Sequence, residues 1–283
     1  MILATIVKVE PSTNIGLISG TIAKRLTIAA NTFENISAIV RIKGAPRIYN
    51  TVVLISGGTG NEFWEQETGG LDLITSLLGN GYRVCQICFQ EGWWFSGCSL
   101  RDAASRVEIV LQYLKGQFGN VPFILVGQSG GSGAIGYCVT ERTAGFPSRI
   151  VLCSGPPMTR LDVACVTEIP LWWQEESEIL LTEVGLNTDL TFGPGTFGCM
   201  AVANRSTEIL RVDSILYPHY NINTTIEYRC IVGDKDTTAA VPFALLFISK
   251  CIAANSQTYV VDAPHLITST LEGRNKIIEC IKN

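Results

Sequence analysis

The sequence from Phe123 to Gly131 is Phe-Ile-Leu-Val-Gly-Gln-Ser-Gly-Gly. Its four leading apolar residues predict a buried strand, and the small residues from Ser132 to Cys138 predict a helix directly afterwards. The pattern Gly-x-Ser-x-Gly lies between the two. A sharp turn from strand to helix pushes a serine hydroxyl out at the top of a sheet, which is the context that a nucleophilic serine needs. The stretch therefore predicts Ser129 as a catalytic nucleophile.

Strands and helices alternate on both sides of this turn. Several strands are continuously apolar, which is typical of a parallel sheet with helices on both faces. The sequence thus predicts an α/β fold with a mostly parallel central sheet. We predict strands over residues 38–42, 51–55, 82–89, 123–126, 149–153, 225–232 and 258–261, and further helices over 71–78, 99–118, 240–253 and 268–281.

The alternation breaks between residues 158 and 223. This segment contains Trp172 and Trp173, an acidic run over 175–178 and a glycine-rich stretch over 192–198. Long insertions between sheet strands are usually functional. We therefore predict a core domain formed by residues 1–157 and 224–283, with residues 158–223 inserted as a cap or lid.

A serine hydroxyl needs a histidine to accept its proton and a carboxylate to orient that histidine. The chain has only two histidines. His265 follows the last predicted strand, in a loop where a base at the top of the sheet should lie. His219 lies near the end of the insertion and is interpreted as a lid residue. We therefore predict His265 as the general base.

The candidate acid follows the strand before His265. Asp234 and Asp236 both lie in the loop after that strand, so the chain order is serine, aspartate, histidine. We favour Asp236, because it lies further out, where its side chain can turn toward the neighbouring loop. Asp234 directly follows the strand's glycine, a position where it can serve simply to end the strand. Asp262 is a weaker candidate, since it is too close in sequence to His265 to reach its ring comfortably.

The oxyanion of an acyl-transfer intermediate needs two backbone N–H groups. One should come from Gly130, directly after the serine. The other should come from the glycine-rich loop after the strand at residues 51–55, where Gly58 is our choice and Thr59 the alternative.

Two patterns indicate other chemistry but lack essential parts. Residues 131–136 fit the dinucleotide pattern Gly-x-Gly-x-x-Gly, but three residues separate them from the strand, and the next strand does not end in an acid. Cys85 and Cys88 form a Cys-x-x-Cys pattern inside a predicted strand, without a second pair at zinc-like spacing. We interpret these cysteines as core residues, and we expect neither a metal nor any other cofactor.

Composition limits the classes of partner. The net charge is −4 and Lys and Arg do not cluster, which argues against a nucleic-acid partner. No apolar run approaches the roughly 20 residues that a membrane span needs. Several of the ten cysteines lie in apolar runs, which favours reduced thiols and a cytoplasmic location. We expect a small-molecule substrate, and the oligomeric state stays open.

Several of these stretches together resemble the α/β-hydrolase superfamily, and the resemblance covers nearly the whole chain. The matching parts are residues 54–60, 127–131, 233–236 and 264–265. Residues 90–99 are similar to the loop that follows the family's fourth strand, although Glu91-Gly92 replaces the usual Arg-Gly. The resemblance implies a sheet of about eight strands, a cap after the sixth strand, and hydrolysis of an ester, thioester or amide.

The loop at residues 56–60 departs from the family pattern. Ser56 stands where many members have histidine, and residues 57–60 are similar to the His-Gly-Gly-Pro-Gly of proline iminopeptidases without the proline.

The expected function is hydrolysis of a carboxylic ester without a cofactor. Trp93, Trp94 and Trp172 are expected to line a pocket for an apolar or aromatic group, although tryptophans in such segments could equally form core. The alternatives are an acyltransferase or enzyme of specialised metabolism, a peptidase similar to proline iminopeptidases, and a ligand-binding protein with a hydrolase fold.

Overall fold

A computed structural model gives the architecture of the chain. It describes residues 4–30, 33–45, 48, 50–94, 99–119, 123–141, 147–161, 211–216, 222, 225–236, 240–251 and 256–282.

Nine strands of the described residues form one sheet. They are β1 (Thr5–Pro11), β2 (Ile22–Ala30), β3 (Phe33–Lys43), β4 (Asn50–Ile55), β5 (Tyr82–Phe89), β6 (Phe123–Gln128), β7 (Arg149–Cys153), β8 (Glu227–Gly233) and β9 (Gln257–Val261). Their order across the sheet is β1-β2-β3-β5-β4-β6-β7-β8-β9. The six strands from β5 to β9 in this order are parallel, whereas β1, β2 and β3 pair antiparallel and β3 pairs antiparallel with β5.

Helices pack on both faces of the parallel strands. They are α1 (Gly70–Gly79), α2 (Leu100–Phe118), α3 (Gly130–Glu141), α4 (Ala240–Lys250) and α5 (Leu271–Lys282), with short 3₁₀ turns at Trp64–Gln66 and Ile267–Ser269. Each parallel strand ends at the same edge of the sheet, and the loops at this edge lie side by side.

The core has one layer on each face of the sheet. In β4, Val53 and Ile55 pack toward α2 and α3, while Val52 and Leu54 pack toward α1 and α5. Side chains alternate along a strand, so a strand covered on both faces must be apolar at every position. This explains the uninterrupted apolar runs of β4 and β6.

The predicted α/β class and mostly parallel sheet are confirmed. Two strands were missed, because β1 and β2 carry charged residues and lack a continuous apolar run. The last predicted helix begins later than expected. The Thr270 hydroxyl accepts a hydrogen bond from the Gly273 amide at 3.1 Å, which caps α5 after a separate 3₁₀ turn.

The predicted lid lies almost wholly outside the described residues. The described residues at its two ends are close together, since the amides of Ile215 and Leu216 donate to the carbonyls of Met158 and Thr159 at 3.1 and 2.9 Å. The two described ends of this segment therefore lie side by side. Among the helices described here, none is long and apolar enough to cross a membrane.

Candidate active site

Ser129 occupies the turn between β6 and α3. Its φ is +48°, a left-handed conformation that costs energy for any residue with a side chain. Two backbone hydrogen bonds hold it there: its amide donates to the Cys153 carbonyl at 2.8 Å, and its carbonyl accepts from the Gly133 amide at 3.1 Å. Only 6% of the residue is exposed. The strained turn agrees with the conformation predicted for a nucleophilic serine.

The glycines on both sides of Ser129 allow close packing of backbone on backbone. A Cβ at Gly127 would lie 2.7 Å from the Ser132 amide nitrogen. A Cβ at Gly131 would lie 2.4 Å from the carbonyl oxygens of both Ile55 and Ser56. Side chains at these positions would separate α3 from the sheet, which is the physical reason for the glycines in the motif.

Asp236 and His265 contact each other directly. The Nδ1 atom of His265 lies 2.8 Å from Oδ2 of Asp236. The Asp236 side chain is fully buried, whereas 31% of the imidazole is exposed. A buried carboxylate at Nδ1 fixes the orientation of the ring and directs Nε2 away from the carboxylate.

The two rival acids lie elsewhere. The Asp234 carboxylate accepts a hydrogen bond from the Ala263 amide at 3.2 Å, so it joins the loops after β8 and β9. Asp262 forms an exposed ion pair with Lys235. Of the three candidate aspartates, Asp236 is therefore the one against the imidazole.

Gln128 connects the serine turn to the histidine loop. Its Nε2 donates to the His265 carbonyl at 2.8 Å. The residue directly before Ser129 thus holds the backbone of the residue that carries the imidazole. Sequence reasoning missed this contact, because the motif around Ser129 does not show that the Gln128 amide has a partner 137 positions away.

The glycine-rich loop at residues 57–60 is a tight turn beside Ser129. The Gly60 amide donates to the Gly57 carbonyl at 3.0 Å, and Gly58 has a φ of +56°. A Cβ at Gly130 would lie 2.1 Å from the Gly58 oxygen and 3.2 Å from its nitrogen. The two residues predicted as oxyanion donors therefore pack against each other. Gly130 also begins α3, where the first amides have no partner inside the helix.

Glu67 lies behind this loop and was not singled out in the sequence. Its Oε1 accepts from the Gly57 amide at 3.4 Å. Burial, with a smaller contribution from the neighbouring Glu62, raises the pKa of the Glu67 carboxyl to about 7, although the hydrogen bond from the Gly57 amide acts to lower it. Glu67 is one of three glutamates within six residues, and local sequence could not show that Glu65 is buried, Glu67 half-buried and Glu62 exposed.

The tryptophans expected in a substrate pocket differ in position. Trp93 is fully buried in the core beside Tyr137, with ring centroids 6.3 Å apart. It supports the loop at residues 57–60, since its amide donates to the Thr59 carbonyl at 2.8 Å, and it has no exposed surface for a ligand. Trp94 is partly buried against it. Trp172, Trp173 and His219 lie outside the described residues.

Cys85 and Cys88 lie on opposite faces of β5. Cys85 belongs to the large core layer, and Cys88 packs with Ile39 and Phe63. Two thiols on opposite faces cannot bind one metal ion, in agreement with their interpretation as core residues. Within the described part of the chain, no group of three or more His, Cys, Asp or Glu residues could hold a metal ion.

No protein-family model matches the chain, and no curated protein matches it in sequence. Solved structures do match it. A putative hydrolase from Agrobacterium vitis S4 is 15% identical with a TM-score of 0.58, over 97% of this chain and 99% of that one. Mouse alpha/beta hydrolase domain-containing protein 10 is 13% identical with a TM-score of 0.56, over 91% and 96%.

A highly thermostable carboxyl esterase from Bacillus coagulans, solved in complex with glycerol, is 13% identical with a TM-score of 0.57. That match covers 91% of this chain and 96% of the esterase. At these identities the likeness concerns the fold, and it extends over nearly the full length of each protein. Together with the strand order and the turn at Ser129, it confirms the resemblance predicted from the sequence: the chain has the fold of the α/β-hydrolase superfamily.

Proposed function

We propose that the protein is a serine hydrolase that cleaves a carboxylic ester, or a related acyl bond, through an acyl-enzyme. The observation that carries this proposal is the 2.8 Å contact between His265 Nδ1 and Asp236 Oδ2 beside the strained turn at Ser129. The three residues follow β6, β8 and β9, whose ends lie at one edge of the sheet. Gln128 joins the serine turn to the histidine loop.

In the first half of the reaction, the Ser129 hydroxyl attacks the acyl carbon. The new bond joins Oγ to that carbon, and the Oγ proton moves to Nε2 of His265. The Asp236 carboxylate stabilises the imidazolium that forms. The Gly58 and Gly130 amides bind the oxyanion, with the partial positive charge at the start of α3 on the same side. The C–O bond of the ester then breaks as the alcohol takes the proton from His265.

In the second half, water replaces the alcohol. His265 removes a proton from the water, whose oxygen attacks the acyl carbon of the Ser129 ester. The same amides bind the second oxyanion. The bond to Oγ breaks as Ser129 recovers its proton, and the carboxylic acid leaves.

The solved structures of similar fold support the reaction class. They include a putative hydrolase and a carboxyl esterase. We propose an apolar or aromatic acyl or alcohol group for the substrate, bound partly by Trp94 and by Trp172 of the proposed cap at residues 158–223.

A fluorophosphonate probe tests the nucleophile. We expect a single adduct on Ser129, located by mass spectrometry, and no adduct in Ser129→Ala. Ser132→Ala is the matched control: Ser132 is fully buried and donates to the Gly127 carbonyl at 2.7 Å, so its loss should leave the adduct on Ser129. Labelling at another residue, or equal labelling of Ser129→Ala, would contradict the assignment.

A panel of p-nitrophenyl esters of increasing acyl length tests the ester substrate. We expect turnover that depends on Ser129 and varies with chain length. Labelling of Ser129 without turnover of any ester would exclude this substrate class and favour an acyltransferase, a peptidase or a binding protein.

A further inference from the structure

The glycine-rich loop at residues 57–60, called the oxyanion loop below, lies between the Glu67 carboxyl and Ser129. Its Oε1 accepts from the Gly57 amide at 3.4 Å. On the other side of the loop, a Cβ built at Gly57 would be 3.6 Å from the Ser129 Cβ. The amide next along the chain is that of Gly58, the proposed oxyanion donor. A charge on Glu67 would therefore lie about two residues, roughly 7 Å, from an oxyanion bound there.

Apart from the Gly57 amide, which favours the ionised carboxyl, the described surroundings of Glu67 do not compensate a negative charge. Its Oε2 is buried and has no hydrogen-bond partner among the residues described. The ionisable groups that interact with it are Glu62 on the same loop and the Cys153 thiol at the end of β7. On the α5 side, Arg274 donates to the Thr268 carbonyl at 2.8 Å and lies 3.7 Å from Asp72. On the side of Gln128, the nearest titratable pair is His265 with Asp236, and these two contact each other.

We infer that Glu67 is a positioning residue whose neutral carboxyl holds the oxyanion loop, and whose ionisation opposes the oxyanion and sets the upper pH limit of turnover. This inference rests on the proposed function. It adds to the triad a residue that touches neither substrate nor Ser129 and acts through the backbone of Gly57.

The physical argument concerns two negative charges in a poorly solvated place. At an effective dielectric constant near 20, two unit charges about 7 Å apart repel with an energy that corresponds to a rate ratio on the order of 50. The neutral carboxyl exerts no such repulsion, and its oxygen still accepts from the Gly57 amide. The raised pKa of about 7 means that the change of charge falls near neutral pH.

The falling limb of the expected pH profile follows from the charge of Glu67. Ionisation of Glu67 lowers kcat/KM as the pH passes through about 7. Between about pH 6.5 and pH 8.5, we expect a fall on the order of tenfold.

Two variants separate this effect from a general disturbance. Glu67→Gln keeps the size of the side chain and an oxygen acceptor, but it cannot ionise, so the falling limb of the profile should disappear. Glu62→Gln removes an exposed charge that raises the pKa of Glu67. The pKa of Glu67 should therefore be lower in this variant, and the falling limb of the variant's pH profile should move to lower pH. If Glu67 had a purely structural role, its replacement would change the rate at every pH. The falling limb would then not disappear in Glu67→Gln, nor move to lower pH in Glu62→Gln.

The rate of fluorophosphonate labelling at Ser129 is measured over the same pH range, because it reports the nucleophile without an assumption about the ester. A fall in wild type that is absent in Glu67→Gln supports the inference. Labelling of Ser129 with the same falling limb in both proteins overturns the role of Glu67 and leaves the hydrolase proposal intact. No labelling of Ser129 at any pH overturns both.

Discussion

Replacing Glu67 by Gln should change how the stability of the protein depends on pH. The folded protein holds the proton of Glu67 up to a pKa of about 7, against 4.5 for an ordinary glutamate. Between these two values the folded state binds more protons than the unfolded state. The free energy of unfolding of the wild type must therefore fall as the pH rises from about 4.5 to about 7.

The difference in pKa sets the size of this effect. Each unit corresponds to about 1.4 kcal/mol, so the complete penalty is about 3 kcal/mol at a pH above both values. About 1 kcal/mol of it is already present at pH 5. Between about pH 5 and pH 8, the wild type should lose about 2 kcal/mol that Glu67→Gln does not lose.

Urea unfolding of both proteins at several pH values measures this difference. Other groups titrate in both proteins, so the quantity to follow is the stability of the variant minus that of the wild type. It should increase by about 2 kcal/mol from pH 5 to pH 8, and Glu62→Gln should give a much smaller change. A stability difference that does not vary with pH would refute the buried, neutral carboxyl and the pH-dependent role proposed for it.

Two further changes test the triad and the turn. Asp236→Asn should lower kcat by about 10⁴-fold, because an amide cannot hold the imidazole in the required tautomer. Asp234→Asn keeps an oxygen that can accept from the Ala263 amide, so its kcat should change little. The reverse result in an esterase assay would assign the acid to Asp234. Gly131→Ala should destabilise the protein by about 3 kcal/mol, because its Cβ would press on two carbonyl oxygens 2.4 Å away. In Gly116→Ala, in helix α2, the new Cβ meets no atom within 4 Å, so this variant should be more stable than the wild type by up to about 1 kcal/mol. Equal urea midpoints for these two variants would contradict the packing argument.

Much of the fold could be predicted because its central strands are buried on both faces. β4 and β6 sit in the middle of the sheet and are apolar at nearly every position, so their sequences alone indicate them. β1 lies at the edge, where most of its residues are exposed, and its sequence does not need a continuous apolar run. Its assignment depends on pairing with β2, which is a contact between distant segments.

The sequence favoured Asp236 over Asp234 as the candidate acid, but it did not determine which carboxylate contacts His265. Chain order identified the loop after β8, and both Asp234 and Asp236 lie in it. Which carboxylate reaches His265 depends on how that loop folds against the residues after β9. In the folded chain, Gly233 packs so tightly on Ala263 that a Cβ there would lie 2.1 Å from its carbonyl oxygen. This approach directs Asp234 to the Ala263 amide and leaves Asp236 against the imidazole.

The sequence by itself determined the turn at Ser129 and the order of the candidate site residues along the chain, because a strained turn next to an apolar strand requires glycines at fixed positions. Only the tertiary structure decided the protonation environment of the site. Glu62, Glu65 and Glu67 follow one another in a single short segment, yet Glu65 pairs with Arg41, Glu62 is exposed, and Glu67 is half-buried behind the glycine-rich loop at residues 57–60. The charge of a carboxyl depends on the solvent and partners that surround it, and these come from distant parts of the chain.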